Sequence, residues 1–170
     1  MARREIPPKY MKAGEDYLDA LNSLGLYPEF LGWAIDRITE DWLLVMVTSV
    51  IEIGGPLELN RLLFRAYNLK ATPQEISPFI VRVYGPKTAV APILKTFDPS
   101  RIGQAKIHKV DPLTKLQVGD PVDIKSIGQD ITDLHIESEY NYPIRDRKRS
   151  YEARSREWKK FRQNVARLAA

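Results

Sequence analysis

Cysteine is absent from the chain, which excludes disulfides, thiolate metal sites and cysteine nucleophiles. Histidine is scarce: His108 and His135 are the only two, too few for an imidazole-rich metal centre. Long hydrophobic runs are missing as well. The longest strongly apolar stretch, Trp42 to Val47, has six residues, against the roughly 20 that a membrane-spanning helix requires. The opening residues MARREIPPKY are basic but lead into no apolar stretch, so no secretory leader and a cytoplasmic location are expected. No G-x-S-x-G elbow, P-loop lysine or dinucleotide-binding glycine fingerprint occurs, and neither histidine lies in a motif that would orient it as a base. Asp120/Asp123 and Asp130/Asp133 each repeat at i, i+3, but the alternate-position acids and closing glutamate of a calcium loop are missing. No catalytic, cofactor-binding or metal-ligating residue is assigned, and no cofactor is expected.

What the chain does have is apolar content and a divided charge. Hydrophobic residues make up 44% of its 170 residues, enough to bury a core and too many for a disordered chain. The formal net charge of +4 is distributed unevenly. Residues 144–170 carry ten Lys/Arg against Asp146, Glu152 and Glu157, a net of +7, which leaves −3 on the other 143 residues. Residues 120–139 hold six acids and the single cation Lys125, a net of −5. The organisation expected is therefore a globular body over 1–97, an extended acidic arm over 98–143, and a basic amphipathic helix over 144–170.

The body is well punctuated. Pro7-Pro8 opens a segment with apolar Tyr10, Ala13, Tyr17, Leu18, Leu21 and Leu24, and Gly25 stops it: an amphipathic helix. Leu31, Trp33 and Ile35 alternate with smaller or polar residues as in a strand, Thr39-Glu40-Asp41 is a hairpin loop, and residues 42–53 read as a strand covered on both faces. Gly54-Gly55-Pro56 is a tight turn into a helix whose Leu59, Leu62, Leu63, Ala66 and Tyr67 form one buried stripe. Thr72 to Glu75 has capping-box spacing for one helical turn, residues 79–84 read as a third strand, and 88–97 as a short helix. The core should contain Leu44, Met46, Leu62, Leu63, Phe79 and Val81. The expected class is α+β, with elements in the order α-β-β-α-β-α. The first two strands should form an antiparallel hairpin, and the second and third should run parallel across the helix between them. This gives a small mixed sheet of three to four strands. A fourth strand would come from residues 105–110, from 121–127, or from a second copy of the chain.

Within the arm, closely spaced Pro and Gly exclude a long helix, while recurrent Val, Ile and Leu predict short strand pieces on a surface. Glu52 and Asp36 could pair across the hairpin, although an edge position or contact with Arg37 or Arg82 is the simpler expectation. In the closing helix Tyr151, Trp158, Phe161, Val165 and Leu168 share one stripe, with Arg145, Arg147, Lys148, Arg149, Arg154, Arg156, Lys159, Lys160 and Arg162 around it. Two readings of this stripe stay open. It packs on the protein's own body and leaves a solvated basic face, or it docks on a partner while the cations contact phosphates or an acidic surface.

Three classes of function follow. The first is a non-enzymatic interaction and assembly protein, whose arm and terminal helix dock on a larger protein partner or a second copy of itself. The second is a nucleic-acid-binding accessory protein that uses the basic helix, and the third is an enzyme with an unrecognised site.

Overall fold

The computed structural model describes residues 5–87, 129–131, 134–144 and 149–169. Helix α1 spans Pro8–Ser23, with proline where the first turn needs no N–H donor, and buries Ala13, Tyr17 and Leu21 at i, i+4, i+8. It ends in a Schellman arrangement: Leu26 N–H bonds to Leu21 O and Gly25 N–H to Asn22 O, with Gly25 at φ 88.

Strand β1 (Phe30–Asp36) turns into β2 (Trp42–Val47), and the two pair antiparallel with Trp33 opposite Leu44. The Asp36 carboxylate shapes the turn by accepting the N–H groups of Ile38 and Thr39 at 2.8 and 3.1 Å. These bonds, with the nearby Arg82, hold the Asp36 carboxyl below its ordinary pKa. Strand β2 is shorter than residues 42–53: Ile51–Gly54 form the short helix α2. Glu29 accepts both the N–H and the hydroxyl of Ser49, fixing the backbone just where the apolar run would otherwise have continued the strand.

Helix α3 (Pro56–Asn68) follows Gly55, whose φ of 78 suits glycine. Its Leu59, Leu62, Leu63 and Ala66 are buried, as the stripe requires. The next turn is closed by Ile76 N–H to Pro73 O, but the Thr72 hydroxyl does not cap it. The Gln74 amide instead donates to the carbonyls of Tyr67 and Thr72. Pro78–Ile80 is a 3₁₀ turn, and strand β3 covers only Val81–Tyr84, parallel to β2 with Leu44 beside Val81. Proline opening that turn moves Phe79 out of the core expected for it, and the residue is 76% exposed.

Among the described residues the sheet has five strands in the order β3-β2-β1-β5-β4. The added pair is β4 (Gln129–Ile131) and β5 (Leu134–Asn141), antiparallel to each other, with β5 antiparallel to β1. Both strands fall in the acidic arm, where recurrent apolar residues predict short strand pieces, and β5 is set by the alternation Leu134, Ile136, whose side chains are buried opposite Asp36 and Ala34. The helix expected over 88–97 and the strands expected over 105–110 and 121–127 lie outside the described residues.

Both faces of the sheet are apolar. Leu31, Trp33, Leu44, Met46 and Val81 pack with α1, α3 and the C-terminal helix α4 (Tyr151–Arg167). Ala34, Leu43, Val45, Val47, Leu134 and Ile136 form a second buried cluster on the other face. Just past β5, the Tyr142 hydroxyl accepts the Trp33 indole N–H at 2.8 Å and donates to Met11 O at 2.8 Å, resting where a side chain on Gly14 would stand. No helix among the described residues is long and apolar enough to cross a membrane.

Candidate functional site

The basic C-terminal helix is the feature whose placement decides between the open readings. Ser150 caps it by accepting the Ala153 N–H at 3.2 Å. Glu152 in the first turn and Arg167 in the last complement the helix dipole.

One side of α4 is anchored to the body by packing and by paired charges. Trp158, Phe161 and Val165, at i, i+3, i+7, are buried in the same cluster as Tyr17, Leu21 and Leu59. The Trp158 indole lies against Gly54, where any Cβ would overlap the ring. The Gly54-Gly55 pair thus serves packing as well as turning. Glu157 is buried, accepts the Tyr27 N–H at 2.7 Å and pairs with Arg149, which also donates to Tyr27 O at 2.7 Å. Desolvation raises the Glu157 carboxyl above its ordinary pKa, against the opposing pull of the Tyr27 N–H and Arg149. Arg154 reaches Glu52 at 2.6 Å, and Lys87 approaches the same carboxylate at 3.5 Å, so Glu52 meets these cations rather than Asp36. The Asn164 amide donates to Leu24 O at 3.0 Å.

Of the five stripe residues expected to meet a partner, Trp158, Phe161 and Val165 are therefore part of the chain's own core. Tyr151 is 66% exposed at the start of the helix, with Arg154 5.9 Å from its ring, and Leu168 is exposed at the end. Among the cations singled out, Arg149 and Arg154 are engaged by Glu157 and Glu52, while Arg145, Arg147 and Lys148 lie outside the described residues.

What remains outward is Arg156, Lys159, Lys160, Arg162 and Arg167, all exposed. Arg156, Lys159, Lys160 and Arg167 follow i, i+3, i+4, i+11 spacing and form one ridge opposite the buried stripe. Arg162 stands beside it, its guanidinium 6.0 Å from the Trp158 ring. Glu152, at the N-terminal end, is the one exposed carboxylate on the helix. The ridge from 156 to 167 runs about 16 Å at 1.5 Å per residue, the length of about five base-pair steps along a duplex. Arg167, which was not among the cations singled out from the sequence, joins this ridge, as its spacing from Arg156 implies.

The arrangement offers binding chemistry. Among the described residues no group of three His, Asp or Glu side chains is placed to hold a metal ion. The Ser49 hydroxyl is buried and bound to Glu29, so it is committed to holding the end of β2. No family model, curated protein or solved structure matches the chain.

Proposed function

We propose that this protein is a non-catalytic binding and assembly protein whose contact surface is the outer ridge of α4 and whose partner is a polyanion, nucleic acid above all. The observation that carries this reading is the division of charge on one helix. The apolar stripe and the cations Arg149 and Arg154 are used internally, leaving five exposed cations with one exposed carboxylate. A solvated face needs no such bias, whereas a run of phosphates is matched by it. The helix is held by its own core, so the ridge is rigid before contact and little ordering entropy opposes binding. The reading centred on docking through Trp158, Phe161 and Val165 is less favoured, because exposing them would dismantle the core.

Fluorescence anisotropy with labelled single-stranded and duplex oligonucleotides over a salt series tests this. Affinity should fall with salt, with a slope of magnitude up to about 4.5 on duplex for five contacts, at about 0.9 per phosphate neutralised. Lys159→Ala with Lys160→Ala should flatten it by about two units while leaving the fold intact. Absence of binding at about 50 mM salt, or an unchanged slope in that variant, refutes the proposal.

A further inference from the structure

Three of the six large apolar side chains exposed among the described residues adjoin one helix. Leu57 is 74% exposed, Phe79 76% and Leu69 40%, and all three adjoin the outer side of α3. Leu57, Phe64, Leu69 and Ala169 line one groove of about 670 Å³, together with Arg61 and Arg65. Phe79 extends it by stacking edge-to-face on Phe64, ring centroids 4.9 Å apart. A contiguous patch of this kind on a well-packed domain marks a contact surface.

The order of residues on α3 indicates what covers it. Leu57, Arg61, Phe64 and Asn68 follow i, i+4, i+7, i+11 spacing along the ridge opposite the buried Leu59, Leu62, Leu63 and Ala66. Beside that ridge, on the same flank, stand Glu58 near the N-terminal end and Arg65 near the C-terminal end. Opposite charges at opposite ends of one flank are self-complementary under a two-fold axis that reverses the helix. A residue then meets the partner's residue at the mirrored height, on the same flank.

We propose that a second copy of this chain covers this face, its α3 packed antiparallel on this one about a two-fold axis level with residues 61 and 62. Glu58 of each protomer then faces Arg65 of the other, twice per dimer. Leu57 enters the space between the partner's Phe64 and the partner's Asn68, in the manner of a knob between ridge residues. Arg61, nearest the axis, keeps its contact with Glu58 of its own helix at 3.4 Å. The helix dipoles run antiparallel, which also favours this orientation. A single 13-residue helix with Phe79 is a small contact area, so the association is reversible and falls at the weak end of specific interfaces. This inference is independent of polyanion binding by α4.

Sedimentation velocity on the full chain, free of nucleic acid, from about 1 µM to about 500 µM tests it across the range of weak interfaces. A reversible monomer–dimer equilibrium is expected, and Leu57→Glu should abolish the dimer while an unchanged circular dichroism spectrum shows that the fold survives. Glu58→Arg and Arg65→Glu should each weaken self-association about tenfold, because two facing pairs turn from attraction to repulsion. An equimolar mixture of the two variants should restore it, since the heterodimer again places opposite charges face to face. A wild-type chain that stays monomeric overturns the proposal, even if the patch captures some other protein. So does a dimer indifferent to both charge reversals, or a mixture that fails to recover.

Discussion

Replacing Trp158 with Ala tests the central structural statement, that the C-terminal helix belongs to the core. The indole is 7% exposed, tilted against Phe161 with ring centroids 6.3 Å apart, and seated on Gly54. A side chain of this size buries up to about 250 Å², worth about 6 kcal/mol at about 25 cal/mol/Å². A realistic unfolded chain already hides some of that area, which reduces the figure to about 4–5 kcal/mol, in line with large-to-small aromatic deletions. Against a total stability of about 5–15 kcal/mol for a domain, such a loss is large. Urea denaturation followed by circular dichroism should show a lower midpoint for Trp158→Ala with a similar slope, whereas Lys159→Ala should stay within about 0.5 kcal/mol. Gly54→Ala should also destabilise, because its methyl group occupies the space of the indole. Combined with Trp158→Ala it should cost much less than the sum of the two, since the clash disappears with the ring. A loss below about 1 kcal/mol for Trp158→Ala, or full additivity of the pair, would refute the packing described for α4.

Leu63→Ala, at a site 2% exposed, should cost about 2–5 kcal/mol by the same denaturation assay, and a small value would mean the buried face of α3 is misassigned. Tyr142→Phe should cost about 1–3 kcal/mol, because it leaves the fully buried Trp33 indole N–H without its acceptor while changing little volume. Arg149→Ala should cost about 3–5 kcal/mol at neutral pH by leaving the Glu157 carboxylate buried without its cation. Burial already raises the Glu157 pKa, so the folded state takes up its proton more readily than the unfolded chain. The penalty is therefore largest above the raised value and shrinks as the pH falls through it. Thermal or urea unfolding of this variant at about pH 4 and pH 7 should show a smaller deficit at the lower pH, and a deficit that grows on acidification contradicts the assignment.

Local pattern was enough for α1, α3, the β1–β2 hairpin and the two-sided helix α4, because each is set by periodicity, with Pro or Gly at the ends of α1 and α3, and the handedness of the crossover through α3 gave the parallel β2–β3 pair. Those signals act within about a dozen residues, and the physics behind them is local: a stripe at 3.6 residues, an alternation at two, a donor that proline lacks. The end of β2 was not legible, since Ile51 to Ile53 suit a strand by propensity and it is Glu29, twenty residues earlier, that accepts the Ser49 N–H and hydroxyl. Phe79 reads as core in the sequence for a similar reason: an apolar run does not reveal that Pro78 begins a 3₁₀ turn and carries the ring outward. The apolar residues of the acidic arm predict strand pieces but not their partner, because composition averages over residues whose neighbours across the sheet are unknown. Pairing with β1, a hundred positions earlier in the chain, fixes β5 in the sheet. The amphipathicity and excess charge of the terminal helix were thus determined by sequence alone. Whether its aromatic stripe faced this body or another was decided by the tertiary structure, for a stripe specifies only that it must be buried. What buries it here is a hollow left by the missing side chain of Gly54, flanked by Glu157 on Tyr27 and Arg154 on Glu52, contacts between residues about a hundred or more positions apart.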